Sequence, residues 1–400
     1  MNPLSTVALL LLVLFPGVCV MGQTLAGIDV LEADDFSALQ GRRVGLITNH
    51  TGVNLRGIST VKLLAQAEEV DLVALFSPEH GFAGQLDQAE IRDDQDAQTG
   101  LKIFSLYGDT RVPTSEMLKN VDTIVFDIQD IGTRFYTYIS TMGGAMRAAA
   151  EHGQRFVVLD RPNPINGVAV AGPVLDSGAE SFVGYHTIAV RHGMTIGELA
   201  GMFRAEWDLD LDLQVIKMQD WDRGKMFAAT GRVWINPSPN MRSLTQAILY
   251  PGVGLLEVTN LSVGRGTDTP FEVVGAPWID PLAFASTLQA ARLPGVVFVP
   301  IQFVPDASKY AGEKCGGVNL VITDHSRFEP NRCGWLLALT LRSMYPKDWD
   351  TKSLNRLLAD EVTRNAILEG QSIDSLERGY EVELAEFERR REKFLIYAMP

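Results

Sequence analysis

Cysteine and histidine are scarce: three of the former, at 19, 315 and 333, and six of the latter in 400 residues. The histidines are scattered, no H-E-x-x-H motif occurs, and neither Cys315 nor Cys333 stands beside the His and acidic residues of a zinc site or a thiol nucleophile. No metal site and no cofactor are therefore expected. The chain lacks a basic run, and its net charge of −14 excludes a nucleic-acid partner, which needs clustered Lys and Arg to meet phosphates. No apolar stretch is long enough to cross a bilayer as a helix. G-x-G-x-x-G, a Walker A loop and a G-x-S-x-G elbow are missing too, which argues against dinucleotides, nucleotide phosphates and a serine hydrolase. There are no repeats or low-complexity tracts.

The longest apolar run, residues 7–15, is followed by Pro16-Gly17 and small residues up to Gly22. That is the core of a secretory signal peptide over 1–22, cut before Gln23, although no Lys or Arg precedes Arg42. Cys19 suggests a lipid anchor, but Val18 stands where a lipobox has a smaller residue, so the expectation is export to the periplasm or outside without an anchor. There Cys315 and Cys333 could pair or remain two buried thiols.

From 23 to 235 short apolar runs alternate with amphipathic stretches. The runs are 44–47, 72–76, 103–106, 123–128 and 156–159; helical patterns fill 59–68, 114–119 and 140–152. Strands apolar on both faces and separated by helices imply a parallel sheet covered on both sides, a doubly wound, Rossmann-like α/β domain. A helix over 195–207 with Thr195 as N-cap follows, then an edge strand within 211–218. Asn236-Pro237-Ser238-Pro239-Asn240 punctuates the chain, and 236–400 reads as a smaller α+β domain: strands at 296–304 and 317–322, helices at 281–291 and 334–344, and a charged helical tail over 353–394.

In such a sheet ligands bind beyond the carboxyl ends of the strands. Four exits carry polar residues: Asn49 and His50; Ser77, Glu79 and His80; Asp127, Gln129 and Asp130; Asp160, Arg161 and Asn163. Strand starts carry only ordinary surface residues such as Arg42 and Asp122. Glu79 stands out. Pro78 and Gly81 hold it on a stiff corner, and partial burial against Phe76 and Phe82 favours the protonated carboxyl that a general acid needs. Asp127 is a candidate base or stabiliser, and His80 a candidate base. Beyond Asp130, Arg134 could clamp a carboxylate, while Tyr136 and Tyr138 could meet a sugar or pack on the sheet. A second cluster runs from Glu257 through Asn260, Arg265 and Thr267, with Gly264 and Gly266 letting the backbone bend around Arg265. Arg265 either binds a ligand or pairs with Glu257. Asn236 and Asn240 could face an interdomain cleft.

These segments resemble a known family. GLITNHTG (45–52), FSPEHGF (76–82), FDIQDIGTRFYTY (126–138), LDRPNPI (159–165), NPSPNM (236–241) and EVTNLSVGRGTDTPFE (257–272) occur in order and match the NamZ-type exo-β-N-acetylmuramidases. The resemblance implies a glycoside hydrolase that removes N-acetylmuramic acid from the non-reducing ends of peptidoglycan fragments, with muropeptides or disaccharides as its partners. It implies a Rossmann-like domain, a smaller C-terminal domain, a cleft between them and Glu79 as acid. The oxocarbenium-like transition state would be stabilised by Asp127, Asp130 or the substrate's own acetamido oxygen. The lactyl carboxylate would meet Arg265, Arg134 or Arg161. Two competing expectations are a non-catalytic muropeptide-binding protein and an amidase or esterase using His80.

Overall fold

The computed structural model describes residues 22–86 and 92–399. Apart from Gly22, the segment read as a signal peptide lies outside the described residues.

The first sheet is made of β1 (Arg42–Thr48), β2 (Val70–Ser77), β3 (Asp94–Gln95), β4 (Lys102–Ser105), β5 (Thr123–Asp127), β6 (Arg155–Leu159) and β9 (Leu213–Ile216), in the order β3-β4-β2-β1-β5-β6-β9. Every pairing is parallel except β3 against β4. Alternate residues of the strands feed two separate cores. Val44, Leu46, Leu72 and Val157 pack with α1 (Gly27–Ala33) and α2 (Thr60–Gln66); Ile47, Phe76, Phe126 and Val158 pack with the short α3 (Ser115–Leu118), α4 (Tyr138–His152) and α5 (Ile196–Glu206). That is why the strands read as unbroken apolar runs, and β9 takes the edge place that its Asp-flanked sequence suggested.

Thr195 is the N-cap of α5: its hydroxyl accepts from Glu198 N–H, and Glu198 returns a bond to the Thr195 N–H. The same hydroxyl donates to Asp160 Oδ2 at 2.8 Å. Thr195→Ala should cost about 1–2 kcal/mol, the scale of a lost cap. A urea melt checks this through a lower midpoint at unchanged slope.

The second sheet is antiparallel, in the order β10 (Val273–Ala276), β12 (Cys315–Ile322), β11 (Val296–Phe303). Helix α7 (Pro281–Ala290) packs on β11 and β12, and α8 (Pro330–Met344) packs against α6 (Leu244–Val253). The charged tail is helical, as expected, and forms three helices, α9 (Asn355–Leu358), α10 (Glu361–Glu369) and α11 (Ile373–Arg391), broken by left-handed residues at Ala359 (φ 48°) and Gly370 (φ 69°). The chain end then returns to the first sheet, where the Tyr397 hydroxyl donates to Asp160 Oδ2 at 2.6 Å. Cys315 and Cys333 are both buried free thiols.

Helix α1, strand β10 and the hairpin β7 (Ala171–Val174) with β8 (Ala189–Arg191) had no clear sequence signal. Each is short, and a glycine or proline inside Ala171-Gly172-Pro173-Val174 erases the alternation that marks a strand.

Candidate active site

Strand β2 ends at Ser77, and the chain turns at once. His80 (φ 70°) and Gly81 (φ 74°) are both left-handed, and the Gly81 N–H donates to the Pro78 carbonyl at 3.1 Å. Histidine tolerates that conformation better than most residues. Its Nδ1 is bonded to the Leu86 carbonyl at 2.7 Å, so His80 braces the corner. Glu79, half-buried, projects from this corner into a cleft of ≈ 1230 Å³. Its Oε2 accepts from the Thr137 hydroxyl. Thr137 precedes α4 without capping it through its side chain, so that hydroxyl serves Glu79 instead.

Beneath Glu79 the cleft narrows to a recess of ≈ 110 Å³ walled by Phe135, Tyr136, Tyr138, Tyr250 and Phe271. The rings meet edge to face: Tyr136 and Tyr138 at 5.0 Å between centroids, Tyr250 and Phe271 at 4.8 Å. Burial pushes the Tyr138 and Tyr250 hydroxyls well above their ordinary range, with the Glu79 charge adding to the effect, so both remain protonated donors. The apolar wall near Glu79 is thus formed by these rings. Phe76, expected there, lies in the core against Phe104.

The cleft is cationic in an acidic chain. Arg111, Arg242, Arg265, Lys309 and Arg356 line it against Glu79, Glu257 and Asp306. Arg265 pairs with Glu257 Oε2 through Nη2 at 3.0 Å and Nε at 3.2 Å, and its guanidinium lies 5.6 Å from the Phe271 ring centre. Of the two possibilities foreseen for Arg265, the pairing with Glu257 is the one seen, and the paired side chain lines the cleft. A Cβ on Gly266 (φ 79°) would fall 2.3 Å from the Ala307 carbonyl oxygen, so the missing side chain admits the loop that carries Lys309. Asn240 also lines both the cleft and the recess.

The exits of β1, β5 and β6 do not reach this cleft. Asp127 is fully buried, its carboxylate held by Arg161 Nε at 2.5 Å, Arg161 Nη2 at 2.9 Å and the Thr60 hydroxyl. This correction removes Asp127 as base and Arg161 as carboxylate clamp: each satisfies the other where β1 and β5 part. Asp130 is buried, accepting from Gly132 N–H at 2.7 Å, with His192 Nε2 3.7 Å away. Asp160 accepts from Arg161 N–H, Gly197 N–H, Thr195 and Tyr397, which makes it a latch for α5 and the chain end. Asn163 ties the Met194 carbonyl to the Ile165 N–H. Arg134, a second expected clamp, is buried with Nη1 on the Pro173 and Ile188 carbonyls and Nη2 on those of Leu357 and Leu358.

Asn49 and His50 act as supports. Asn49 Nδ2 donates to the Tyr138 hydroxyl at 3.1 Å, which donates onward to the Pro237 carbonyl. His50 Nε2 meets the Asn236 carbonyl at 2.6 Å, and burial lowers its imidazole, reinforced by His80. The Asn236 contact is through its backbone; the residue itself is exposed. Asn260 holds Asp348 and Asp350, and Thr267 caps its own turn through the Gly264 carbonyl. Sequence reading missed Thr137, Tyr250, Arg111, Arg242, Lys309 and Arg356. Thr137 had a signal in its place inside the quoted aromatic motif, and Arg242 in following NPSPNM directly; the rest come from loops and helices with no motif around them.

Residues 44–245 match the N-terminal domain, and 248–397 the C-terminal domain, of "Exo-beta-N-acetylmuramidase NamZ". A relative, the peptidoglycan β-N-acetylmuramidase NamZ of Bacillus subtilis (strain 168), is 45% identical over 375 residues, spanning 93% of this chain and 91% of that one. Two crystal structures of DUF1343 family proteins from Bacteroides fragilis NCTC 9343 share the fold. One has a TM-score of 0.87 and 37% identity, covering 94% of this chain and 99% of that one. The other has a TM-score of 0.78 and 30% identity, covering 95% and 100%.

Proposed function

The chain belongs to the exo-β-N-acetylmuramidase NamZ family, and on that premise we propose that it hydrolyses terminal non-reducing N-acetylmuramic acid from peptidoglycan fragments, with Glu79 as proton donor. It is a glycoside hydrolase. The observation that carries the role of Glu79 is its position: among the described residues it is the one strand-exit acid of the first sheet that opens into the cationic cleft, above an aromatic recess.

Glycoside cleavage requires a proton on the leaving oxygen while the anomeric carbon gains positive charge. Glu79 gives the proton as the C–O bond breaks, and water later supplies the hydroxyl of the released sugar and returns a proton to the site. With Asp127 and Asp130 out of reach, stabilising the positive charge falls to Glu257, oriented by Arg265, together with the substrate's acetamido oxygen. Of the three arginines expected to meet the lactyl carboxylate, only Arg265 lines the cleft. N-acetylglucosamine lacks that carboxylate and would leave Arg265 its Glu257 partner but no ligand charge to meet.

Arg265→Ala should lower kcat/KM on a chromogenic muramoside about 10- to 100-fold, the scale of a lost charge-assisted bond. The matching glucosaminide should lose far less. Equal losses on both sugars would reject the clamp. Mass spectrometry of digested muropeptides separates this activity from an amidase or esterase, since only a muramidase releases free N-acetylmuramic acid. A non-catalytic binder would release nothing. We also propose export, supported by the apolar run at 7–15 and the small residues up to Gly22; mass analysis of the mature N-terminus, expected at Gln23, tests it.

A further inference from the structure

A second cavity of ≈ 480 Å³ lies apart from the cleft, between the β7–β8 hairpin, the start of α8 and one face of α11, and shares no lining residue with it. Its size is within the ~300–1,000 Å³ of small-molecule sites. Arg191, at the end of β8, lines it with only 9% of its surface exposed. Its Nη2 is spent on the Ile165 carbonyl, and its Nε is sealed without an acceptor. No acceptor among the described residues meets Nη1, and no carboxylate among them lies within ion-pair distance; Glu329 acts on this guanidinium only through its longer-range charge. Burial lowers Arg191 to about 10, which leaves it charged at neutral pH. Beside it begins α8, fifteen residues long, whose N-cap Glu329 makes no side-chain cap. The first-turn N–H groups of Asn331 and Arg332 have no intrahelical acceptor, and the helix dipole adds positive potential there. Asn331 is itself buried, with Oδ1 unpartnered.

The α11 face has the other sign. Asp374 and Glu377 lie on it beside Arg378, and Arg332 reaches across from the first turn of α8, its Nη1 2.7 Å from Glu377 and its Nη2 2.7 Å from Asp374, while its Nε is 3.9 Å from Glu329 at the α8 N-cap. Glu377 feels both neighbouring acids, and Glu381 adds another carboxylate to the rim. One wall thus offers a buried guanidinium with no carboxylate in contact and free helix N–H groups, with Glu329 at its edge, and the α11 face offers Asp374, Glu377 and Glu381 against Arg378 and the shared Arg332.

We propose that this cavity binds a small zwitterion, an amino acid or dipeptide, with its carboxylate on Arg191 and the start of α8 and its ammonium on Glu377 and its acidic neighbours. The site is independent of glycoside hydrolysis and needs no residue of the cleft. A free dipeptide carries both charges, whereas a peptide acylated at its N-terminus carries only the carboxylate, so the two sources differ by one blocked group.

Calorimetric titration of the full chain with alanyl-alanine, in L,L and D,D forms, should show saturable one-to-one binding of at least one form. N-acetyl-alanyl-alanine and alanyl-alanine amide should each bind at least tenfold more weakly. Arg191→Met should lose binding, and Glu377→Gln should weaken the dipeptide at least fivefold while leaving the acetylated form unchanged; Glu79→Gln should bind like wild type. Because Arg191 is buried, a thermal melt accompanies its variant, and the half-buried Glu377 supplies the second test if Arg191→Met unfolds. Absence of saturable heat, equal affinity for the blocked forms, or binding that Arg265→Ala removes and Glu377→Gln does not would each overturn the proposal.

Discussion

Glu79→Gln is expected to reduce turnover of a muropeptide about 10²- to 10⁴-fold, the contribution of a positioned general acid, while the melting temperature barely moves. The reason for the first effect is chemical. An amide has no proton to give, so the leaving sugar must depart as an alkoxide. The reason for the second lies in what Glu79 touches. Its side chain accepts from the Thr137 hydroxyl, which can donate to an amide oxygen as well as to a carboxylate. A substrate whose leaving group departs without protonation, such as a nitrophenyl muramoside, should recover much of the rate. If the variant lost both substrates equally, Glu79 would be acting on binding or charge rather than on proton transfer.

Arg161→Leu should have the largest effect on stability, about 3–5 kcal/mol, because it strands a fully buried Asp127 carboxylate without its cation. Chemical denaturation reads this directly. Arg161 also donates to the Val53 carbonyl at 3.1 Å, so the segment after β1 loosens with it. Arg161→Leu combined with Asp127→Leu should recover part of the loss, since both charges leave together. Asp127→Asn should lose stability while the folded fraction keeps its activity at low temperature. A stable Asp127→Asn that is inactive would put Asp127 back into the chemistry.

Glu79 and Asp127 show how far the sequence could be read. Both stand at strand exits, both are acids in a polar loop, and both lie on the edge of the sheet where ligands gather. The fold was legible because strands buried on both faces leave continuous apolar runs, and Thr195 marked its helix with a cap. The placement of Glu79 was legible because Pro78 and Gly81 fix a corner. What the sequence hides is whether a polar exit residue opens into solvent or closes on a neighbour. Asp127 meets Arg161 across 34 residues, and Asp160 meets Tyr397 across 237. No local pattern records such distant partners. The cleft cations Arg242, Lys309 and Arg356 were hidden for the same reason, since only the folded C-terminal lobe brings them opposite Glu79.

The most direct measurement is a crystal structure of Glu79→Gln with an uncleaved muramic acid disaccharide bound. The side chain at 79 should lie within about 3 Å of the bridging oxygen, as proton transfer requires, with the lactyl carboxylate facing Arg265. A sugar seated elsewhere, or a bridging oxygen beyond reach of position 79 and closer to another acid, would contradict it.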